Sequence, residues 1–275
     1  MADLSELSWR VLGEESRDGP TNMALDEIAA ETAGDGGPAT IRVYRWEPST
    51  LSLGYRQDPA TVDWDYCERE GITVTRRPTG GGAIYHDEFG DISYAIVVPA
   101  DAVPGDLTES YELLLEPVLA AFERMGIAAD FATEERPAVH EPTCYLRALS
   151  PAHDVVGPDG RKISGNAQYR KRDAVVQHGS LSFSLAPGRH CDCFTADLDP
   201  DQFRERVGAI EEYVDCSRRD AVETLRTTLA EWAGVDPGSG TWTDAELDRA
   251  RERASRKFAA EAWTRERTDP TADSR

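Results

Sequence analysis

The order of apolar and polar positions divides the 275-residue chain into two unequal parts. Up to about residue 185 short strand-like runs outnumber helical patterns, and after Pro200 apolar residues return every three or four positions. Residues 1–19 are polar and lead into an edge strand over 9–13. Thr21 reads as the N-cap of a helix carrying Met23, Ala24, Leu25, Ile28 and Ala29, which residues 34–38 end. Residues 41–46 alternate as a half-buried strand does, and 51–55 form a second strand after a turn at Pro48. A short helix over 62–70 and a strand over 72–75 follow, the strand running into a glycine-rich loop with a strong strand, 91–98, behind it. Thr108 opens a helix with Tyr111, Leu114, Leu115, Val118, Phe122 and Met125 on one face. Residues 132–151 have proline, charge and no period, which predicts a mobile loop. Residues 154–156 and 161–163 flank Gly157-Pro158-Asp159-Gly160 as a hairpin, and 174–177 and 180–185 are further strands. Helices are expected over 201–213, from Ser217-x-x-Asp220 to Ala233, and from Thr243-x-x-Glu246 onward, the last carrying Leu247, Ala250, Ala254, Phe258 and Ala262. A linker over 234–240 separates the last two, and a polar tail follows Trp263. The pattern predicts an α+β fold: a mostly antiparallel sheet flanked by helices that are segregated to one face.

Composition narrows the partners. Acidic residues number 51 against 30 basic ones, for a net charge of −21, and only Lys162, Lys171 and Lys257 are lysines. Such a field repels nucleic acid and anionic membranes. It suits a high-salt cytosol, where a short Debye length screens self-repulsion, so a halophilic source is expected. No apolar run approaches the ~20 residues of a membrane span, and the N-terminus lacks the basic and apolar regions of a signal peptide. The expected location is cytoplasmic. Five irregularly spaced cysteines describe reduced thiols rather than a disulfide framework. No repeat period marks a solenoid.

The stretch Arg76-Arg77-Pro78-Thr79-Gly80-Gly81-Gly82-Ala83-Ile84-Tyr85-His86-Asp87 joins two cations to three glycines, a pattern in which backbone amides and guanidinium close on an anion. Glycines alone mark turns, and the flanking arginines favour ligand binding. No Gly-Lys-Ser/Thr ends the loop and no helix follows it, which excludes a P-loop and a dinucleotide fingerprint. A second stretch runs from Gly160 through Arg161, Lys162, Ile163, Ser164, Gly165, Asn166 and Ala167 to Gln168. A lysine in an arginine-rich chain there suggests that a compact ammonium is wanted, against the plainer reading of a solvated hairpin lysine. A third, Gln177-His178-Gly179-Ser180, adds polar groups. His190, Cys191, Cys193 and Cys216 lack the second spaced pair of a zinc site, and no metal ligand is assigned.

In this order these stretches resemble the lipoate-protein ligase and octanoyltransferase superfamily. Asn22-Met23-Ala24-Leu25-Asp26-Glu27, the run from Pro48 to Gly54, and Lys257-Phe258 with Trp263 are similar to its other motifs, so the resemblance runs nearly end to end. It implies a catalytic domain like those of class II aminoacyl-tRNA synthetases and biotin protein ligases over residues 1–240, with a C-terminal helix and polar tail over 241–275. In the ligase branch ATP, with Mg2+, activates lipoate or octanoate to an acyl-adenylate, which a lysine of a lipoyl domain attacks. The implied ligand set is Arg77, Thr79, Gly81, Gly82, Ala83, Ile84, Tyr85, His86, Lys162, Gly165, Asn166 and His178. Within it Arg77 and residues 82–85 contact the nucleotide, Lys162 touches acyl carboxyl and phosphate oxygens, and His86 fixes the loop.

Cys144 in Pro142-Thr143-Cys144-Tyr145 lies near the nucleophile position of the cysteine-dependent octanoyltransferases. There the cysteine takes octanoyl from acyl carrier protein as a thioester and the lysine favours its thiolate. Against this, many such transferases put arginine at the third glycine, and Gly82 would leave room for an adenylate. The expected function is therefore a lipoate-protein ligase. The alternatives are an octanoyltransferase using Cys144, a biotin-protein ligase, and a non-catalytic acyl-binding protein on the same fold. The expected partners are lipoyl domains of 2-oxoacid dehydrogenase E2 or glycine cleavage H protein, acyl carrier protein for a transferase, and a separate accessory ligase subunit.

Overall fold

The computed structural model describes residues 4–150, 153–170 and 173–272. Its first elements are β1 (Trp9–Arg17), α1 (Gly19–Gly34), β2 (Ala39–Trp46), β3 (Thr50–Leu53), α2 (Trp64–Arg69), β4 (Thr73–Arg76), β5 (Ile84–His86), β6 (Asp91–Pro99) and α3 (Leu107–Met125). They are followed by β7 (Asp130–Phe131), β8 (Val155–Val156), β9 (Lys162–Arg170), β10 (Ala174–Ser182) and α4 (Pro187–Asp192). The remainder is helical: α5 (Pro200–Arg206), α6 (Ile210–Tyr213), α7 (Arg218–Trp232), α8 (Asp244–Arg253), a π-helical turn (Ala254–Phe258) and α9 (Glu261–Thr264).

A seven-stranded sheet has the order β1-β2-β6-β10-β9-β8-β7, parallel between β1 and β2 and antiparallel elsewhere. A smaller sheet, β4-β3-β5, pairs β3 with β4 in parallel and with β5 in antiparallel. The expected edge strand is β1, longer than its apolar run. Helices cover both faces of the large sheet, which corrects their expected segregation to one. Along β6, Ile92, Tyr94, Ile96 and Val98 pack with Leu114, Val118 and Phe122 of α3 and Leu225 and Leu229 of α7. Ala95 and Val97 point the other way, to Met23, Ala24 and Ile28 of α1 and to Phe258. Two covered faces explain why β6 reads as one apolar run. They also correct the half-buried reading of β2, in which Arg42 is fully buried and donates to Asp26 at 2.9 Å.

α1 is buried almost all round, its alanines admitting close neighbours. Asp18, not Thr21, caps it, accepting from the Thr21 N–H at 2.7 Å. Asp106 likewise caps α3 ahead of Thr108, whereas Ser217 and Thr243 cap α7 and α8 as expected. The helical segment expected over 201–213 is two helices broken at 207–209, and α4 went unforeseen. The strands expected over 174–177 and 180–185 are one, β10. A side chain at Gly179 would begin 2.2 Å from Asn166 Oδ1, so this glycine marks a close approach inside a strand and does not break it. The tail after Trp263 folds back, and Asp269 pairs with Lys257 at 2.8 Å. No helix among the described residues is long and apolar enough to cross a membrane.

Arg76, fully buried at the end of β4, is held by no carboxylate among the described residues. It donates to the carbonyls of Gly54, Tyr55 and Gln57 on one side and of Trp263 and Thr264 on the other. The guanidinium fork satisfies several orphan carbonyls at once and ties α9 to the start of the glycine loop.

Candidate active site

The small sheet positions the glycine loop. β4 delivers the chain to Arg77, and β5 takes it away after Ala83, with β3 between them. Arg77 turns inward. It donates to Ser52 O (2.6 Å), Ser52 Oγ (2.8 Å), Thr79 Oγ1 (3.2 Å), Gly80 O (3.1 Å) and Gly82 O (2.9 Å). A buried guanidinium with every nitrogen engaged shapes its own loop and has little left for a ligand.

Two histidines brace this arrangement. His86 Nδ1 lies 2.8 Å from Asp91 Oδ2 and Nε2 lies 2.7 Å from Ser52 Oγ. Burial depresses the His86 pKa more than Asp91 raises it, so the ring is neutral near pH 7, with Nδ1–H donating to Asp91 and Nε2 accepting from Ser52. Ser52, His86 and Asp91 thus stand in the order of a nucleophilic triad, but Ser52 is fully buried and its oxygen already accepts from Arg77. The network braces the loop through Ser52 and Asp91. His178 does the same from β10, joining Thr79 Oγ1 (2.9 Å) to Asp26 Oδ2 (3.3 Å).

Reactive groups arrive from the other side. The loop expected to be mobile is pinned to the glycine loop: Ala83 N–H donates to Pro142 O (2.7 Å) and Cys144 N–H to Ala83 O (2.9 Å). Cys144, Tyr145 and Leu146 are buried. Lys162, the first residue of β9, places its ammonium 2.7 Å from Asp154 Oδ1, 3.1 Å from Cys144 O and 3.6 Å from Cys144 Sγ. Asp154 is held in turn by the Ser150 N–H at 2.8 Å. Burial alone would lower the Lys162 pKa, but the Cys144 sulfur and the Asp154 carboxylate outweigh it and the pKa is raised, so Lys162 stays an ammonium at neutral pH.

Two glycines make room for the cysteine. A side chain on Gly82 would start 2.7 Å from Cys144 N and 2.8 Å from Pro142 O. One on Gly165 would start 3.1 Å from Cys144 Sγ. The space beside Gly82, expected to admit an adenylate, is filled by the cysteine loop.

Arg77, His86, Cys144, Asp154, Lys162, Gly165 and His178 border one cavity of about 240 Å³. Met23, Tyr44, Trp46, Ile84 and Tyr111 supply apolar wall, and Cys144, Arg147, His153, Asp154, Lys162, Gln168 and His178 the polar wall. Of the expected set, Arg77, Gly81, Ile84, His86, Lys162, Gly165, Asn166 and His178 border it. Asn166 is committed, accepting from Tyr94 OH at 2.7 Å and donating to His153 O and Ser164 Oγ. Tyr85 does not border it: on β5 its side chain points opposite to Ile84 and His86, toward Leu51, Cys67 and Cys193. Thr79, Gly82 and Ala83 act behind the wall. The sequence offered no signal for Asp154 or Arg147, whose neighbours are unremarkable, or for the wall residues Met23, Trp46 and Tyr111, which read as core. Cys193 packs with Cys67 in the small-sheet core, and no group of three or more His, Cys, Asp or Glu among the described residues could hold a metal.

The lipoyl protein ligase A/B catalytic-domain family matches residues 18–233. The octanoyltransferase LipM of Brevibacillus brevis is 29% identical, covering 93% of this chain and 98% of its own. That of Kyrpidia tusciae is 32% identical with the same shares. Among solved structures, a lipoate-protein ligase A bound with ATP superposes with a TM-score of 0.77 at 25% identity, covering 94% of this chain and 99% of its own. A bi-partite lipoate protein ligase from Thermoplasma acidophilum, described with its E2 lipoyl domain, gives 0.76 at 25% identity, covering 94% and 97%. With that match spanning most of the chain and the cavity inside it, the chain belongs to the lipoyl protein ligase A/B catalytic-domain family, enzymes of lipoyl and octanoyl transfer.

Proposed function

We propose that the protein transfers octanoyl from a carrier-protein thioester to a lysine of a lipoyl domain, with Cys144 as the nucleophile. The observation that carries this reading is the line Cys144–Lys162–Asp154 at the cavity wall, for which both Gly82 and Gly165 leave space. It replaces the ligase expected from the glycine loop, and the octanoyltransferase relatives support it.

The Cys144 thiolate attacks the acyl carbonyl, and the tetrahedral intermediate expels the carrier thiolate, which takes a proton from Lys162. The acyl chain, now a thioester on Cys144, lies along the apolar wall. The acceptor amine attacks that thioester, its proton passes to the neutral Lys162, and Cys144 leaves as thiolate. The net reaction exchanges a thioester for an amide and returns every group to its starting state. Asp154 keeps the ammonium oriented while it waits.

A nucleotide fits less well: Arg77 has its donors engaged and the space beside Gly82 is filled. The likeness to an ATP-bound ligase keeps acyl-adenylate formation as a second reading. One experiment separates them. The protein is incubated with a lipoyl domain and either octanoyl carrier protein or ATP, Mg2+ and lipoate. Expected is product from the carrier alone, an octanoyl adduct on Cys144 by intact mass, and a loss of about 10³-fold in Cys144→Ser. Product from ATP and lipoate that survives this substitution would establish the ligase.

A further inference from the structure

Arg147 is the charge in the cavity that the proposed chemistry leaves unused. It stands on the turn that carries Cys144, its N–H donating to Thr143 O at 2.8 Å. It borders the cavity, is half-buried, and one guanidinium nitrogen lies 3.6 Å from where a side chain on Gly81 would begin. Among the described residues that guanidinium has no hydrogen-bond or ion-pair partner. Four other sheltered arginines of this acidic chain are paired with acids, Arg10 with Glu246, Arg42 with Asp26, Arg218 with Glu14 and Arg253 with Glu31, and buried Arg76 is instead fully engaged by carbonyls. At the cavity the other two cations are spent, Arg77 on its own loop and Lys162 on Asp154 and Cys144. The Arg147 charge also works against protonation of both. Three neighbouring cations stand there against one carboxylate and the Cys144 sulfur, which leaves the half-buried Arg147 open to an anionic group on a substrate.

The second half-reaction supplies the reason. The incoming nucleophile is itself a lysine, an ammonium before it reacts, and a cationic mouth repels it. A carboxylate next to that lysine on the acceptor removes the repulsion and, by a forked ion pair, sets the amine against the thioester. The donor offers no equivalent. The phosphate of a carrier's thiol arm lies at the far end of that arm, beyond the reach of a side chain three residues from Cys144.

We propose that Arg147 is the docking contact for a carboxylate that the acceptor polypeptide carries beside its target lysine. This inference rests on the transferase reading. The test treats the two half-reactions separately in the wild type, Arg147→Met and Arg147→Glu, with melting temperatures as the folding control. Loading of Cys144 from octanoyl carrier protein is followed by intact mass. Transfer is then timed in single turnover against a lipoyl domain with an acidic residue beside its target lysine, and against the same domain with that acid changed to lysine. Expected is loading that falls far less than transfer in both variants, with half-saturation by the acidic acceptor raised about 10- to 100-fold in Arg147→Met and further in Arg147→Glu. The lysine-bearing acceptor should reverse the order, favouring Arg147→Glu. Transfer indifferent to Arg147, or loading that falls as far as transfer, overturns the inference while leaving the transferase intact. A wild-type protein that never acquires the acyl group on Cys144 refutes the transferase reading, and this one with it.

Discussion

The two loops that meet at the cavity are built on opposite principles. The glycine loop is conspicuous in sequence and chemically satisfied: Arg77 closes on five of its neighbours' oxygens, and His86 and His178 brace it through Ser52 and Thr79. The cysteine loop is inconspicuous, lacks regular structure over most of its described length, and brings the sulfur, Arg147, unpaired among the described residues, and the carboxylate that holds Lys162. One loop is a wall and the other a carrier of reactive groups. The lesson is that a striking motif can mark where the backbone must be shaped rather than where bonds are made.

The sharpest way to break that comparison is Gly82→Ala. If the glycine serves the cysteine loop, a methyl group begun 2.7 Å from Cys144 N forces that backbone away. Transfer should fall by about 10²-fold or more, with a stability loss of about 1–3 kcal/mol from overpacking. Alkylation of Cys144 by iodoacetamide should change with it, and an unaltered alkylation rate alongside lost activity would return Gly82 to ligand binding.

A smaller effect is expected of Asp154→Asn. Removing the carboxylate takes away one of the two influences that raise the Lys162 pKa and leaves the Cys144 sulfur alone against burial. Lys162 acts as an ammonium, so activity is present below its folded pKa and lost as pH rises through it. The alkaline limb of the pH–rate profile should therefore move to lower pH, with the maximal rate reduced about tenfold. Asp154→Glu should restore part of the shift, and a profile that merely scales down would make Asp154 structural.

The least effect concerns support behind the cysteine loop. His190 is buried against Phe203 and Tyr145, its Nε2 lacks a partner among the described residues, and burial pushes its pKa down to about 3. The unfolded chain takes up a proton near pH 6.5 that the folded one refuses, so this contribution to stability is present above that pH and is lost progressively as pH falls toward 3. His190→Phe should remove it, narrowing the drop in stability between pH 7 and 5 by about 2 kcal/mol. Parallel pH curves for the two proteins, measured by urea unfolding, would show that His190 does not carry the acid sensitivity.

Much of the fold was legible because it is written locally. Capping signals at Ser217 and Thr243, the one-sided apolar face of α3 and the turn at 157–160 each depend on residues close in sequence. What could not be read depends on distant pairings. Arg42 looks solvent-facing until Asp26 is known to lie opposite, and Gly179 looks like a breaker until Tyr94 and Asn166 are seen against it. In the site, Lys162 stood out by its rarity in an arginine-rich chain, and Cys144 by resemblance alone. Asp154 did not stand out, since one acid among 51 carries no signal until the hairpin sets it beside the lysine.

The carbonyl cage around Arg76 has a consequence for the timing of assembly. Three of its carbonyls come from residues 54–57 and the other two from Trp263 and Thr264, about two hundred positions later. Because Arg76 opens the glycine loop, one side of the anchorage of the cavity wall is synthesised long after the loop itself. A nascent chain carries Cys144 and Lys162 before Trp263 and Thr264 are made, so the loop facing them gains its last anchors after both.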